Sequence, residues 1–412
     1  MRFIVFIFAA LFCVAARAAS EIRDTEIEAA LGRAIAPLAT AAKISPKIHI
    51  VGDNGFNAFT AGGADIFINT GLIVGVDNWA ELQAVAAHEI GHATLGHMAQ
   101  MAAKIAAETA RTLVMQALGI GLIALNPNAA IGVMAGAGGI ATQSMLAFTR
   151  DEERAADDYA AKLLERADID PSALLSVFKK MQSLNSQSKT NPNNVGHPLT
   201  EERIRNIKLA IETSREPRTA NRDLKLVQAK LIGYLEPNRV ASLYPAADKS
   251  DPAIYARAIM RMRAGDLATA KVGTNTLTAR HPDGAYFYEL LGDINFQAGD
   301  YDASAAAYEK SLALTANAPQ IETALALVLA ERNKSGDRAR AMELARRALL
   351  AEKTPLAFWV MARADPERGD YYMAEYYQMT GARDKARASA RAALKRLTPN
   401  TPEYIKARDL VE

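Results

Sequence analysis

Cysteine is nearly missing from this chain of 412 residues; Cys13 is the only one. It sits in an apolar run from Phe3 to Val14, with Arg2 before it and Ala16-Arg17-Ala18 after it. A positive start, a short apolar stretch and an A-x-A site make the pattern of a secretory signal, here over residues 1–18. The run is too short to span a bilayer, and Phe12 does not suit lipoprotein processing at Cys13. If cleavage fails, the alternative is an anchoring helix. A chain cut after Ala18 keeps no cysteine, which excludes disulfides and a thiol nucleophile. Export without disulfides points to a bacterial periplasm. An excess of charge of one sign is also lacking: 48 Lys and Arg against 46 Asp and Glu leave a formal charge of +2. No strong basic patch stands out, so nucleic acid is not an expected partner. What the chain does have is apolar residues, 50% of the total. That composition and length suit two or three domains with sizeable cores.

Histidine is scarce as well, with six in all, and two of them fall in His88-Glu89-Ile90-Gly91-His92. On a helix each residue turns about 100°, so His88 and His92 share a face. Two imidazoles one turn apart suit one Zn²⁺. Glu89 is placed to take a proton from an attacking water as general base. Asn78 and Glu81 read as a capping box, and the apolar spacing predicts a helix of about 20 residues or more from Asn78. His97 then falls about 180° from His88. Leu95 and Met98 occupy the positions where a metzincin needs Gly and His. A third ligand is available in Thr149-Arg150-Asp151-Glu152-Glu153-Arg154-Ala155-Ala156-Asp157. Glu153 can ligate zinc, while Asp157, one turn on, can hold the Nδ1–H of a ligating histidine. Considered alone, that stretch reads first as a solvated charged face with i, i+4 pairs.

These residues together resemble the HtpX/Oma-type gluzincin peptidases, and among them the BepA-type periplasmic metalloproteases. The third-ligand motif of that family, S-R-x-x-E-x-x-A-D, is matched by Thr149-Arg150-x-x-Glu153-x-x-Ala156-Asp157, with Thr in place of Ser. Its H-P-x-x-x-x-R stretch is matched by His197-Pro198 and Arg203. Its N-A-F…G-G…I…N-x-G-L pattern is matched by Asn57-Ala58-Phe59, Gly62-Gly63, Ile66, Asn69, Gly71 and Leu72. The resemblance covers about residues 25 to 215. It implies one Zn²⁺ per chain on His88, His92 and Glu153. It places His197 at the cleft, either as oxyanion stabiliser or as a fourth ligand that closes the site. Arg203 would hold substrate or brace the loop that carries His197. The resemblance also places a substrate-binding strand at Gly62, Gly63, Ala64, Asp65, Ile66 and Phe67, which would receive substrate by backbone pairing.

Around these motifs the chain reads as helix over 21–42, a half-buried strand at Lys47–Val51, and short strands at Phe56–Thr60 and Asp65–Asn69. His49 falls on the face opposite Ile48 and Ile50, exposed rather than ligating. Residues 112–148 are apolar and interrupted by Asn126-Pro127-Asn128. They read as a helical hairpin beside or over the cleft, in peripheral contact with a membrane or a hydrophobic substrate; a transmembrane hairpin is the alternative. Ser183–Gly196 reads as a polar loop delivering His197. From Asp251 on, Gly265-Asp266 and Gly299-Asp300 recur at the tetratricopeptide period of 34 residues, and Gly336-Asp337 and Gly381 continue at longer spacing. His281, before Pro282, reads as a turn residue.

The expected fold is mainly α with a small β-sheet, a zincin-like metallopeptidase domain followed by an α-solenoid of tetratricopeptide-like repeats. The expected divisions are a signal at 1–18, the peptidase at 19–217, a helical connector at 218–250 and the solenoid at 251–412. The expected function is zinc-dependent endopeptidase activity. The resemblance adds chaperone activity in quality control and assembly of outer-membrane proteins. Its partners would be unfolded or misassembled polypeptides and, through the solenoid, the assembly machinery. The alternative is a chaperone or scaffold that acts by solenoid binding while its protease stays shut.

Overall fold

A computed structural model of the chain describes residues 21–60, 64–101, 103, 149–187, 197, 199–210 and 222–412. The expected signal at 1–18, Gly62, Gly63, the apolar stretch 112–148 and the loop residues 188–196 lie outside them. The described residues form two compact units. One contains Glu21, Ile22 and Glu28–Leu224; the other contains Arg23–Ile27 and Lys225–Glu412. No helix among the described residues is long and apolar enough to cross a membrane.

In the first unit, strand β1 (Glu21–Ile22) leads to helix α1 (Thr25–Ala42), whose first residues belong to the other unit. Leu31, Ile35 and Leu38 recur at helical spacing on α1 and are buried. Strands β2 (Lys47–Val51), β3 (Ala58–Thr60) and β4 (Asp65–Asn69) follow. The sheet order is β1-β2-β4-β3, with β2 and β4 parallel and the other pairs antiparallel. Alternation puts Ile66 and Ile68 into the core, while His49, Phe67 and Phe59 stack across the opposite face, with centroids 4.5 and 4.9 Å apart.

The topology corrects one expectation. Ile66 to Ile68 are paired on both sides, by β2 and by β3, so the backbone at Ile66 and Phe67 has no free edge to offer a substrate. Among the described residues the edge strands are β1 and β3, and β3 is the one next to β4. The short helix α2 (Thr70–Gly75) follows β4. Gly71 explains the N-x-G-L pattern: its amide donates to the Asp53 carbonyl at 2.8 Å, and a Cβ there would stand 2.2 Å from the Asn54 carbonyl oxygen.

Helix α3 (Trp79–Thr94) carries the H-E-x-x-H sequence. Asn78 caps it by accepting the Glu81 N–H at 3.0 Å. Glu81 reaches back to the N–H of Asp77 rather than that of Asn78, so the reciprocal half of the capping box is displaced by one residue. Glu81 is buried and also receives Lys180 Nζ at 2.9 Å. The helix is shorter than its periodicity predicts. It stops at Thr94, Gly96 turns left-handed with φ of +71°, and helical conformation resumes at 97.

Helix α4 (Arg150–Arg166) opens on a full capping box in which Thr149 and Glu152 bond reciprocally; threonine serves as well as serine here. It lies against α3 where Gly91 faces Ala156, so close that a Cβ on Gly91 would be 3.1 Å from the Ala156 carbonyl oxygen. Helix α5 (Ser172–Gln187) extends through the first residues of the expected polar loop, and α6 (Glu201–Ala210) follows His197.

In the second unit, α7 (Arg222–Leu235, from Lys225 onward) and the short α8 (Val240–Leu243) precede a series of helices. These are α9 (Asp251–Arg263), α10 (Leu267–Arg280), α11 (Ala285–Gln297), α12 (Tyr301–Leu314), α13 (Pro319–Arg332), α14 (Asp337–Ala351), α15 (Pro355–Ala364), α16 (Gly369–Met379), α17 (Arg383–Leu394) and α18 (Pro402–Val411). Gly265, Gly299, Gly336 and Gly381 all take positive φ at the turns between helices. Asp266 and Asp300 cap the helices that follow them. Each antiparallel pair buries its apolar face against its neighbours, as helical repeats do. The short helix α15, between α14 and α16, accounts for the longer spacing before Gly381. His281 lies in the turn after α10, 2.7 Å from Asp251.

Candidate metal centre

One turn of α3 separates His88 from His92, and their Nε2 atoms point to a common place, 3.0 Å apart. From α4, Glu153 brings Oε2 to 3.5 Å from His88 Nε2 and Oε1 to 3.6 Å from His92 Nε2. The close Gly91–Ala156 packing makes this reach short enough. His197 adds Nδ1 at 2.8 Å from Glu153 Oε1 and 3.3 Å from His88 Nε2. One ligand atom from each of the four residues fits within 4.8 Å of the others, and all four residues are buried. Three nitrogens and one carboxylate oxygen make a donor set that suits zinc. Burying such a set at these separations is costly unless a cation joins it.

The surroundings orient the ligands. Asp157 Oδ1 stands 2.9 Å from His88 Nδ1, but that nitrogen lacks a well-directed hydrogen bond, so the pair acts more through charge than through alignment. Arg203 donates twice to Asp157, each time at 2.7 Å, and forms an ion pair with Glu153 Oε2 at 2.6 Å. Its guanidinium also lies over the Phe178 ring, 5.0 Å from the centroid. Arg203 was expected among the groups that act on substrate or brace the His197 loop. The structure places it behind the ligands, buried and saturated by two carboxylates, where it positions Glu153 and Asp157.

Glu89 is 1% exposed. Its carboxylate accepts the Thr60 backbone N–H from the edge strand and lies 3.3 Å from His197 Nε2. Its Oε2 has no hydrogen-bond partner, so one buried acceptor faces the centre unsatisfied. Burial pushes the Glu89 carboxyl up, and His197 and His88 oppose that rise. Burial also presses on the histidines. His92 is pushed down to about 2 by burial and by the neighbouring His88 and His197. For His88 burial works downward too, but Asp157 and Glu153 outweigh it and push it up to about 10. Glu153 and Asp157 are held well below the usual carboxylate range: burial opposes, and His197 with His88, or Arg203 with His88, prevail.

Of the other predicted residues, Ala64 precedes β4, Asp65 opens it opposite Lys47, and Ile66 is buried in it. His49 stays away from the centre, 2.8 Å from Glu21. One contact was not anticipated: His97 Nδ1 lies 3.0 Å from His92 Nδ1.

Residues 21–211 match the family described as Peptidase family M48. Metalloprotease LoiP of Escherichia coli K12 is 30% identical over 200 residues, covering 45% of this chain and 68% of LoiP. The chain belongs to peptidase family M48. This M48 peptidase is also 26% identical to the Beta-barrel assembly-enhancing protease of E. coli K12, over 64% of this chain and 56% of that protein. To its namesake in Yersinia pestis it is 23% identical, over 72% of this chain and 63% of the relative. The match thus spans little more than half the length of these assembly-enhancing relatives. A tetratricopeptide-repeat protein of Thermus thermophilus overlays 46% of the chain at 18% identity with a TM-score of 0.27; the repeat assignment rests on the helix pairs described above.

Proposed function

We propose that this M48 peptidase is a zinc endopeptidase of unfolded or misassembled polypeptides, exported to the periplasm, with one Zn²⁺ on His88, His92 and Glu153. The observation that carries the reading is the convergence of those three residues beside a buried, partly unsatisfied Glu89 that is tied to a free sheet edge. A zinc ion held there supplies a Lewis acid for the scissile carbonyl. A substrate strand pairs along Ala58–Thr60 toward Ala64 and Asp65. Glu89 takes the proton of the attacking water and passes it to the leaving amine. Arg203 holds Glu153 and Asp157 so that neither carboxylate swings away. In this reading the division of labour follows the two units: the peptidase for cutting, the helical repeats for holding partners and client chains as a chaperone does. The similarity to Beta-barrel assembly-enhancing proteases supports a role in outer-membrane protein assembly and quality control, with the assembly machinery as the solenoid's partner.

A second reading has its own support. His197 Nδ1 occupies a ligand position and its Nε2 meets Glu89, so the site drawn here is one that a fourth protein ligand shuts. The resting chain then acts mainly as a scaffold or chaperone.

Casein cleavage and metal content, measured together on the full purified chain, test the enzyme. Glu89→Gln should retain zinc and lose hydrolysis by about 10²–10⁴. Glu153→Gln should instead lose metal. Undiminished cleavage by Glu89→Gln would sink the mechanism.

A further inference from the structure

An imidazole that binds a metal through Nε2 carries its proton on Nδ1, and that N–H needs an acceptor to fix the ring. Asp157 Oδ1 stands 2.9 Å from His88 Nδ1. The group 3.0 Å from His92 Nδ1 is the Nδ1 of His97, with the two rings edge-to-face at 73°. Both histidines are buried, His92 at 0% and His97 at 5% exposed.

This meeting is not a by-product of helix geometry. Five residues along a continuous helix turn about 500°, which would set His97 about 140° away from His92. The helix ends at Thr94 instead, and Gly96, at φ of +71°, reverses the chain into a conformation that side-chain-bearing residues enter at a cost. His97 is thereby folded back onto the ring it would otherwise have faced away from.

We infer that His97 is a positioning residue for the metal centre: neutral, protonated on Nε2, it accepts the Nδ1–H of His92 and locks that ligand's tautomer and ring plane. The two ligands of the H-E-x-x-H helix are thus oriented by different means, one by a carboxylate that Arg203 balances, the other by an uncharged imidazole.

The inference rests on the zinc reading, so the experiment measures zinc affinity directly, by competition with a chromophoric chelator, alongside the unfolding midpoint of the metal-free chain. His97→Ala should weaken zinc binding about 10–100-fold and leave the metal-free midpoint unchanged. His97→Asn, whose amide oxygen lies near the place of Nδ1, should recover most of the affinity. The cobalt-substituted His97→Ala protein should show a shifted visible ligand-field spectrum, because the His92 ring is no longer fixed. Zinc affinity within twofold of the wild type in His97→Ala overturns the proposal. So does a loss of stability shared by the metal-free and loaded forms with affinity intact, and so does an Asn variant as weak as the Ala variant. A wild-type chain that takes up no zinc in the same titration defeats the metal reading itself, which keeps the two failures distinct.

Discussion

His197 is the residue on which the resting state of this peptidase turns. Its Nδ1 lies among the candidate ligand atoms and its Nε2 faces Glu89; under the proposed closure it would compete with the water that Glu89 deprotonates and would occupy Glu89 as well. His197→Ala should therefore raise basal casein cleavage, by about tenfold if the closed form holds about nine molecules in ten. Initial rates at saturating zinc check this, and a fall in rate would show that oxyanion stabilisation outweighs closure. At this scale legibility followed spacing. His88, Glu89 and His92 declare themselves because helical periodicity makes one face of them. Glu153 and Asp157 do not, since an i, i+4 acidic pair is indistinguishable from a solvated surface until Gly91 and Ala156 bring the two helices together. His97 stays out of the ligand cluster, as its spacing implies, but its contact with His92 is invisible along a continuous helix, which Gly96 ends. Arg203 gave no sign of facing inward, because a sequence does not say which carboxylates will be buried beside an arginine.

Among the elements, the contact between α3 and α4 carries the site. Glycine at 91 lets the α4 backbone approach until Glu153 meets the two histidines. Gly91→Val would force the helices apart, at a cost of about 1–3 kcal/mol from overpacking, and would move Glu153 away from His88 and His92. The expected result is a lowered unfolding midpoint for the first unit together with reduced zinc content. Gly91→Ser, smaller at the same point, should fall between; a valine variant with wild-type zinc content would remove this contact from the argument. The strands were legible by alternation, but their order was not. Nothing in β3 or β4 alone states that β4 inserts between β2 and β3, because the order depends on a parallel crossover pairing. The pairing of Ile66 to Ile68 on both sides follows from that crossover. The repeats were easier. A glycine with positive φ before a capping aspartate is a local requirement, and it recurs with the period of the helix pair. Gly292 repeats the lesson within α11: a Cβ there would meet the Tyr308 ring at 2.8 Å, the small-and-large pairing visible in the sequence.

For the molecule as a whole, two units could be expected from the change in composition, but the membership of Arg23–Ile27 in the repeat unit could not. It depends on a buried cluster whose members lie far apart in the chain. Lys230 on α7 meets Asp24 Oδ2 at 2.7 Å, Glu289 Oε2 at 3.1 Å and Glu26 Oε2 at 3.3 Å. Tyr255 on α9 donates to Glu26 at 2.8 Å, and Tyr308 on α12 donates to Asp293. Tyr234 on α7 stands 3.5 Å from Asp293, and the Lys230 ammonium lies 5.8 Å from the Tyr286 ring. Three carboxyl groups meet one lysine, and a fourth, Asp293, lies against the two tyrosine hydroxyls. Burial pushes Glu289 up to about 8 and Asp293 up to about 6, against the pull of Lys230 on the first and of the Tyr308 hydroxyl on the second. A carboxyl with a raised pKa in the fold contributes stability that is complete below its unfolded pKa and is lost as pH rises through the folded one. The window for Glu289 therefore runs from about 4.5, its ordinary value, to about 8. The repeat unit should lose up to about 1.4 kcal/mol per pH unit within that window for the proton it retains. Glu289→Gln keeps the shape and removes the titrating group, so the variant should show a flatter dependence and exceed the wild type in stability near pH 8. Acid also strips metal from the first unit, which would confuse a single melting curve. Amide exchange resolved to α11 and to α7 from Lys225 onward, followed from pH 5 to pH 8, reads the second unit alone. Equal slopes for the wild type and Glu289→Gln would mean that Glu289 is already ionised in the fold, held so by Lys230.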